Sequence, residues 1–212
     1  MRIALIHALR HSPPPIEKAF RDMWPEPTLM NLLDMSLSAD LAAEGKLTPR
    51  MTERFLTLSR YAVGTGAEAI LFTCSAFGPC IEAVAAEFAP MPVLKPNEAM
   101  IEEATATYSR IGLLSTFPAT LASMPPEFPA HVQLTPMLAE GALAALDAGD
   151  VAEHDRLLVE AARRFGPEVE AIALAQFSIA HTADAIEAAT GKPVFTTPGS
   201  AVRKLKKLLG AG

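Results

Sequence analysis

Several short runs of the chain are continuously apolar: residues 2–6, 69–73, 93–94, 110–114, 170–175 and 193–196. They lack the in–out alternation of a half-exposed strand, which is how parallel strands covered on both faces read. Between them the apolar positions recur at helical spacing. Thr48 before Pro49 is an N-cap followed by a proline at the first helical position. Met51, Phe55, Leu58 and Ala62 then share one face, and Gly64 closes the helix. Asp150 and Glu153 have capping-box spacing and open a helix with Leu157, Leu158, Ala161 and Phe165 inward and Gly166 at its end. Pro79 opens another helix, and residues 182–190 form one stopped by Gly191. Strand–helix alternation predicts an α/β protein with parallel strands.

The pattern also repeats. MRIALIH (residues 1–7) has a counterpart in SRIGLLS (109–115), and GAEAILFTCSAFG (66–78) in EVEAIALAQFSIA (168–180). In that alignment Cys74 falls on Gln176. Pro92-Val93-Leu94 follows the first at nearly the spacing at which Pro193-Val194-Phe195 follows the second. Two related α/β lobes are expected, the first from residues 1–95 plus 198–212 and the second from 96–197. Ligands of open α/β sheets bind at the carboxyl ends of strands. A pseudo-twofold arrangement would therefore place Cys74 and Gln176 on opposite sides of one cleft.

Composition narrows the function. Half of the 212 residues are hydrophobic, enough for a sizeable core. With 18 basic against 24 acidic residues the formal charge is −6, which leaves no basic field for a nucleic acid. The cluster Arg203, Lys204, Lys206 and Lys207 reads as a solvated helix face. No uncharged stretch is long enough to span a bilayer, and the apolar residues 3–9 are short for a signal-peptide core. Two cysteines, Cys74 and Cys80, make no disulfide framework and fit a reducing compartment, so a cytoplasmic protein is expected. His11, His131, His154 and His181 share no metal-ligand spacing with one another or with acidic residues, and no glycine-rich phosphate loop follows a strand. Neither a metal nor a cofactor is expected.

Cys74 is the leading chemical candidate, since it ends a strand ahead of a helix whose free amides and dipole would favour thiolate. The bland alternative is a small core residue. Cys80, inside that helix, reads as structural. His7 ends the first strand and either contacts ligand or caps the strand. Ser115 and Thr116 hold the matching place in the second lobe, where hydroxyls and amides could hold a carboxylate or simply shape the turn. Phe77 and Phe177 either line a partly apolar cleft or pack in the core.

AILFTCSAFGPCIEAV (69–84) resembles the first cysteine motif of the aspartate/glutamate/hydantoin racemase superfamily. LAQFSIA (174–180) is similar to its second, with Gln176 where a cysteine normally stands. PVLKPNEAMIEEA (92–104), RIGLLSTFPAT (110–120) and PVFTTPGSAVRKL (193–205) extend the resemblance over nearly the whole chain. It implies two pseudo-symmetric lobes, no cofactor, a small carboxylic-acid substrate and a homodimer. In the racemases one cysteine removes a proton and the other returns it to the opposite face. The superfamily also includes arylmalonate decarboxylase and maleate isomerase.

Glutamine cannot accept a proton near neutral pH, so two-base racemisation is not expected here. The resemblance implies an isomerase working through Cys74 alone, or a decarboxylating lyase. Ser75, Thr116 and Ser178 would help hold the carboxylate, His7 and Phe177 would contact substrate, and Gln176 would be a hydrogen-bonding wall. A rival reading is a small-acid-binding protein that has lost its chemistry.

Overall fold

The computed structural model describes residues 1–211. Two four-stranded, all-parallel sheets organise it. The first contains β1 (Arg2–His7), β2 (Thr28–Leu33), β3 (Ala69–Phe72) and β4 (Val93–Leu94), in the order β2-β1-β3-β4. The second contains β5 (Arg110–Ser115), β6 (Gln133–Leu138), β7 (Ala171–Leu174) and β8 (Val194–Thr196), in the order β6-β5-β7-β8. The order is the same in both, and so is the register. Ile3 pairs with Ala69 and Ile6 with Phe72, while Ile111 pairs with Ala171 and Leu114 with Leu174. The repeat read in the sequence is thus a repeat of architecture, with two α/β lobes.

A polar detail is duplicated as well. The Arg2 backbone amide donates to Glu68 Oε1 at 3.0 Å, and the Arg110 amide donates to Glu170 Oε2 at 3.0 Å. Each glutamate ties the start of a central strand to the strand beside it.

The strands missing from the sequence reading are β2 and β6. Both are edge strands with only partial burial, so their apolar residues are interrupted by Asn31 in one and by Thr135 and Pro136 in the other. Proline is tolerated at an edge because no ladder partner needs its amide.

Among the described residues ten helices, α1 to α10, cover the sheets. On one face of the first sheet lie α2 (Ser36–Glu44), α3 (Pro49–Gly64) and α4 (Gly78–Phe88); on the other lies α1 (Pro13–Met23). In α3 the Thr48 hydroxyl accepts from the Met51 amide. Phe55 is buried, with its ring 5.2 Å from Phe72 and 4.9 Å from Phe77. Burying such a ring contributes about 1.5–3 kcal/mol, and each aromatic pair about 0.5–1.5 kcal/mol more. Leu58, expected on the inward face, is only half-buried, and Ser59 takes the buried place by donating to the Phe55 carbonyl.

The second sheet has α8 (Val151–Arg163) and α9 (Ala183–Thr190) on one face, with α7 (Ala142–Asp147) packed on α8. Its other face carries α5 (Glu98–Thr105) and α6 (Pro118–Ser123). The expected caps are present: Asp150 Oδ1 accepts from the Glu153 amide at 3.0 Å, and Gly191 ends α9 at φ 66°. Leu157 is half-buried, and the inward face of α8 includes His154 instead.

Two helices follow one sheet but pack on the other lobe. Met100, Ile101 and Ala104 of α5 follow β4 yet join the core of β5 and β7. Ala201, Val202 and Leu205 of α10 (Thr197–Leu208) follow β8 yet join Ile3, Leu5 and Phe20. The two helices also meet through ion pairs. Arg203 reaches Glu103 at 2.7 Å, and Lys204 reaches Glu102 at 2.6 Å and Glu98 at 3.0 Å. Half of the basic cluster expected to be solvated therefore fastens α10 to α5. No helix among the described residues is long and apolar enough to cross a membrane.

Candidate active site

Both motif residues stand where a strand gives way to a 3-10 turn. The Thr73 amide makes the last bond of β3, to the Ile6 carbonyl at 3.1 Å; the Ala175 amide mirrors it, to the Leu114 carbonyl at 2.9 Å. Cys74 and Gln176 follow in extended conformation, each heading a short turn, Ser75–Phe77 or Phe177–Thr182. The two ends meet through their neighbours. The Ser75 hydroxyl donates to the Ala175 carbonyl at 3.3 Å and lies 3.0 Å from Thr120 Oγ1, while Ser123 donates to the Ser75 carbonyl at 3.2 Å. Phe177, at the place matching Ser75, crosses the other way and packs with Ile16 and Phe20 of α1.

Cys74 and Gln176 are each only 8 % exposed. Little of either side chain is open to the cleft expected between them. Cys74 packs with Ala8, Leu37 and Phe77 on the α3–α4 side of its sheet. Burial pushes its thiol up to about 11, against the opposing pull of the Ala76 amide and the Ser38 hydroxyl. The expected thiolate at a helix start is thus corrected: α4 begins only at Gly78, and the loss of water outweighs one amide and one hydroxyl. At pH 7 only about one molecule in 10⁴ would carry the thiolate.

Gln176 is held rigidly. Its Oε1 accepts from the Thr116 amide at 2.6 Å, the Thr116 hydroxyl at 2.9 Å and the Ser115 hydroxyl at 3.0 Å. A backbone amide can only donate, so the atom it meets is the oxygen and the orientation of the side-chain amide is fixed. The donors expected to hold a substrate carboxylate are occupied by the protein's own carbonyl. Ser75 is similarly committed across the lobe seam, whereas Ser178 is buried near the start of its turn.

His7 lies on the opposite side of its sheet from Cys74, because Thr73 shares its face and Cys74 does not. Both ring nitrogens are bonded: Nδ1 to Thr73 Oγ1 at 2.7 Å and Nε2 to Asn31 Oδ1 at 2.9 Å, with Asn31 in turn donating to Glu17. The ring is fully buried, and desolvation lowers its pKa despite Asn31 and Glu17. His7 is thus a strand-end tie, and Phe177, 1 % exposed, is a core ring. Neither has a surface to offer a substrate here. Phe77 is also core. Cys80 is fully buried in the first turn of α4, 3.5 Å from Thr52 Oγ1.

Shortly after β1 come Arg10, which the sequence reading passed over, and His11, which it weighed only as a metal ligand. Arg10 and His11 reach across the seam to Asp147 at the end of α7: Arg10 Nη2 lies 3.1 Å, and His11 Nε2 2.8 Å, from Asp147 Oδ1. With Ala8, Leu9, Met35 and Leu143 they line an inter-lobe cavity of about 330 Å³. Ser38 links it to the thiol, since Ser38 contacts Cys74 and donates to the Ala8 carbonyl at 3.0 Å. The rule that ligands gather at strand ends could have found both residues. A larger cavity of about 580 Å³ lies between α1, the 180–184 segment and the start of α10, beyond the sheet face that carries His7 and away from the thiol.

A search of curated proteins finds no match. The fold, however, is shared with solved racemases. Glutamate racemase from Francisella tularensis subsp. tularensis SCHU S4, in complex with D-glutamate, superposes with a TM-score of 0.77 at 13% identity, covering 99% of this chain and 81% of that one. Allantoin racemase from Klebsiella pneumoniae gives 0.72 at 19% identity, covering 100% and 89%. A glycine-to-cysteine mutant of arylmalonate decarboxylase, in a sulfate-associated form, gives 0.68 at 15% identity, covering 100% and 94%. The family model described as Asp/Glu/Hydantoin racemase matches residues 6–205, and with the doubled sheet and the paired strand-end motifs this places the chain in the Asp/Glu/hydantoin racemase family.

Proposed function

We propose that this chain is a cofactor-independent enzyme that delivers a proton to one face of a small carboxylic acid, with Cys74 as its only proton-transfer thiol. The observation that carries this reading is the locked Gln176. It occupies the place of a second cysteine, its oxygen is saturated by three donors, and it has no proton to exchange near neutral pH.

The protonated state of Cys74 favours one among the one-thiol reactions. A buried thiol is protonated at rest and suited to act as an acid. Addition of thiolate to a double bond, as cis–trans isomerisation would require, starts from the scarce form. Decarboxylation of a substituted malonate starts from the abundant one. The bond between Cα and one carboxylate breaks, carbon dioxide leaves, and the electron pair stays as an enediolate. The Cys74 S–H then gives its proton to Cα, and water reprotonates the sulfur. Arg10 and His11, released from Asp147, would hold the remaining carboxylate as the lobes part.

The test is a screen of malonates, amino acids, hydantoins and maleate in deuterated water, with chiral analysis of the products. A disubstituted malonate should give one enantiomer carrying one solvent deuteron, and Cys74→Ala should lose this activity. Racemisation of an amino acid or hydantoin by the wild type, or full turnover by Cys74→Ala, would refute the reading.

A further inference from the structure

A second cluster lies on the α8–α9 side of the second sheet. His154 and Asp155 are consecutive on α8, and His181 closes the turn that begins after Gln176. The sequence gives the two histidines no recognisable metal spacing, yet the fold brings them together. One ligand atom from each of the three side chains lies within 4.8 Å of the others. The two imidazoles stack at 5.9 Å with 19° between planes, and His181 Nε2 is 2.7 Å from Asp155 Oδ1.

The state of His154 sets this cluster apart from an ordinary surface pair. The residue is fully buried, and its Nδ1 donates to the Ala142 carbonyl at 2.7 Å. That bond fixes the tautomer and leaves Nε2 as a bare lone pair, which has no hydrogen-bond partner. A buried, unpartnered acceptor is costly, at about 1–3 kcal/mol. A ring with one N–H tied to a backbone carbonyl and the other nitrogen open is also the usual posture of a metal-binding histidine.

We propose that His154, Asp155 and His181 bind a divalent transition-metal ion of the zinc type, clamping α8 to the turn that follows Gln176. Two imidazoles and one carboxylate suit such an ion, and three protein ligands leave further positions for water. Tetrahedral bonds of about 2.0–2.1 Å require ligand atoms about 3.3 Å apart, so the cluster needs only a modest closure from 4.8 Å. His154 is ready to ligate. His181 must move its proton from Nε2 to Nδ1, which solvent can mediate because the residue is exposed and borders the 580 Å³ cavity. Asp155 then exchanges a hydrogen bond for a metal bond, with no net change in protons.

The experiment uses the full chain, free of any affinity tag and stripped with chelator, titrated with zinc chloride by calorimetry. One ion per chain should bind, and the melting temperature should rise with zinc concentration. The partly exposed variants His181→Ala and Asp155→Asn should each weaken binding at least 10-fold, whereas His11→Ala, which breaks the other histidine–aspartate pair, should not. Cobalt should give d–d bands without a thiolate charge-transfer band, which separates this site from Cys74 and Cys80. The proposal is overturned by the absence of saturable binding, by affinity unchanged in both variants, or by a thiolate band.

Discussion

The Thr116 amide points at Gln176 Oε1 from 2.6 Å, and the Thr116 and Ser115 hydroxyls close on the same oxygen. Three donors around one oxygen form a cradle of the kind that holds a carboxylate. Here it holds a neutral side chain of the protein, and this keeps the ends of β5 and β7 together.

Substitutions at Gln176 should therefore follow acceptor chemistry rather than size. Gln176→Leu keeps most of the volume but leaves the buried Thr116 amide unpaired, and it should cost about 1–3 kcal/mol in urea unfolding. Gln176→Glu keeps an oxygen in the cradle, where hydrogen bonds to a charged acceptor are stronger. It should lie closer to wild type than the leucine variant does. The reverse order would show that the cradle does not hold the strand ends.

Alkylation reports on Cys74 directly. In a Cys80→Ala background, iodoacetamide should react slowly at pH 7. The rate should rise about tenfold per pH unit and level only near pH 11, because the thiolate is the nucleophile and burial holds the thiol up. A rate already level by pH 8 would mean that the thiol is not desolvated as described. Circular dichroism at each pH confirms that the folded protein is being measured.

Glu127 gives a second titration, this time in stability. Its Oε2 is buried without a partner, and desolvation raises its pKa to about 7 even though Lys95 opposes the shift. The folded state thus holds a proton that the unfolded chain releases near 4.5. The associated stability is fully present below about 4.5 and is lost as pH rises through about 7. Glu127→Gln should flatten this fall in melting temperature between pH 5 and 8. An identical slope in the variant would place the titrating group elsewhere.

How much of this was legible depended on distance along the chain. Buried strands such as 69–72 and 171–174 are continuous apolar runs, and their repetition exposed the two lobes. The edge strands escaped because a half-exposed strand with Asn31 or Pro136 resembles a loop. At the site, sequence position identified the ends of the strands but not their surroundings. It could not show that Ser115 and Thr116 turn onto Gln176, or that His7 is consumed by Thr73 and Asn31. A dipole argument favoured thiolate at Cys74, whereas burial, a property of the whole fold, reversed its sign. Asp147 meets Arg10 from the other lobe, and no local spacing records such a contact.

That last pair should control substrate affinity. Arg10 and Asp147 are about half exposed, so their ion pair is worth little to stability, about 0–1 kcal/mol. Its consequence is competition: while Asp147 holds Arg10 and His11, an incoming carboxylate must displace it. Asp147→Ala should unfold within about 1 kcal/mol of wild type yet bind a small diacid such as phenylmalonate more tightly, by up to about fivefold, which is what 1 kcal/mol allows. Arg10→Ala removes the cation and should weaken binding, with the salt dependence of affinity shrinking as a charge contact is lost. In turnover both changes should appear in KM and leave kcat nearly fixed, since in the proposed reaction neither residue touches the carbon that receives the proton. Calorimetry of the two variants at low and high salt decides the matter. If Arg10→Ala binds the diacid as wild type does, the cavity between β1 and α7 is not where the carboxylate is held.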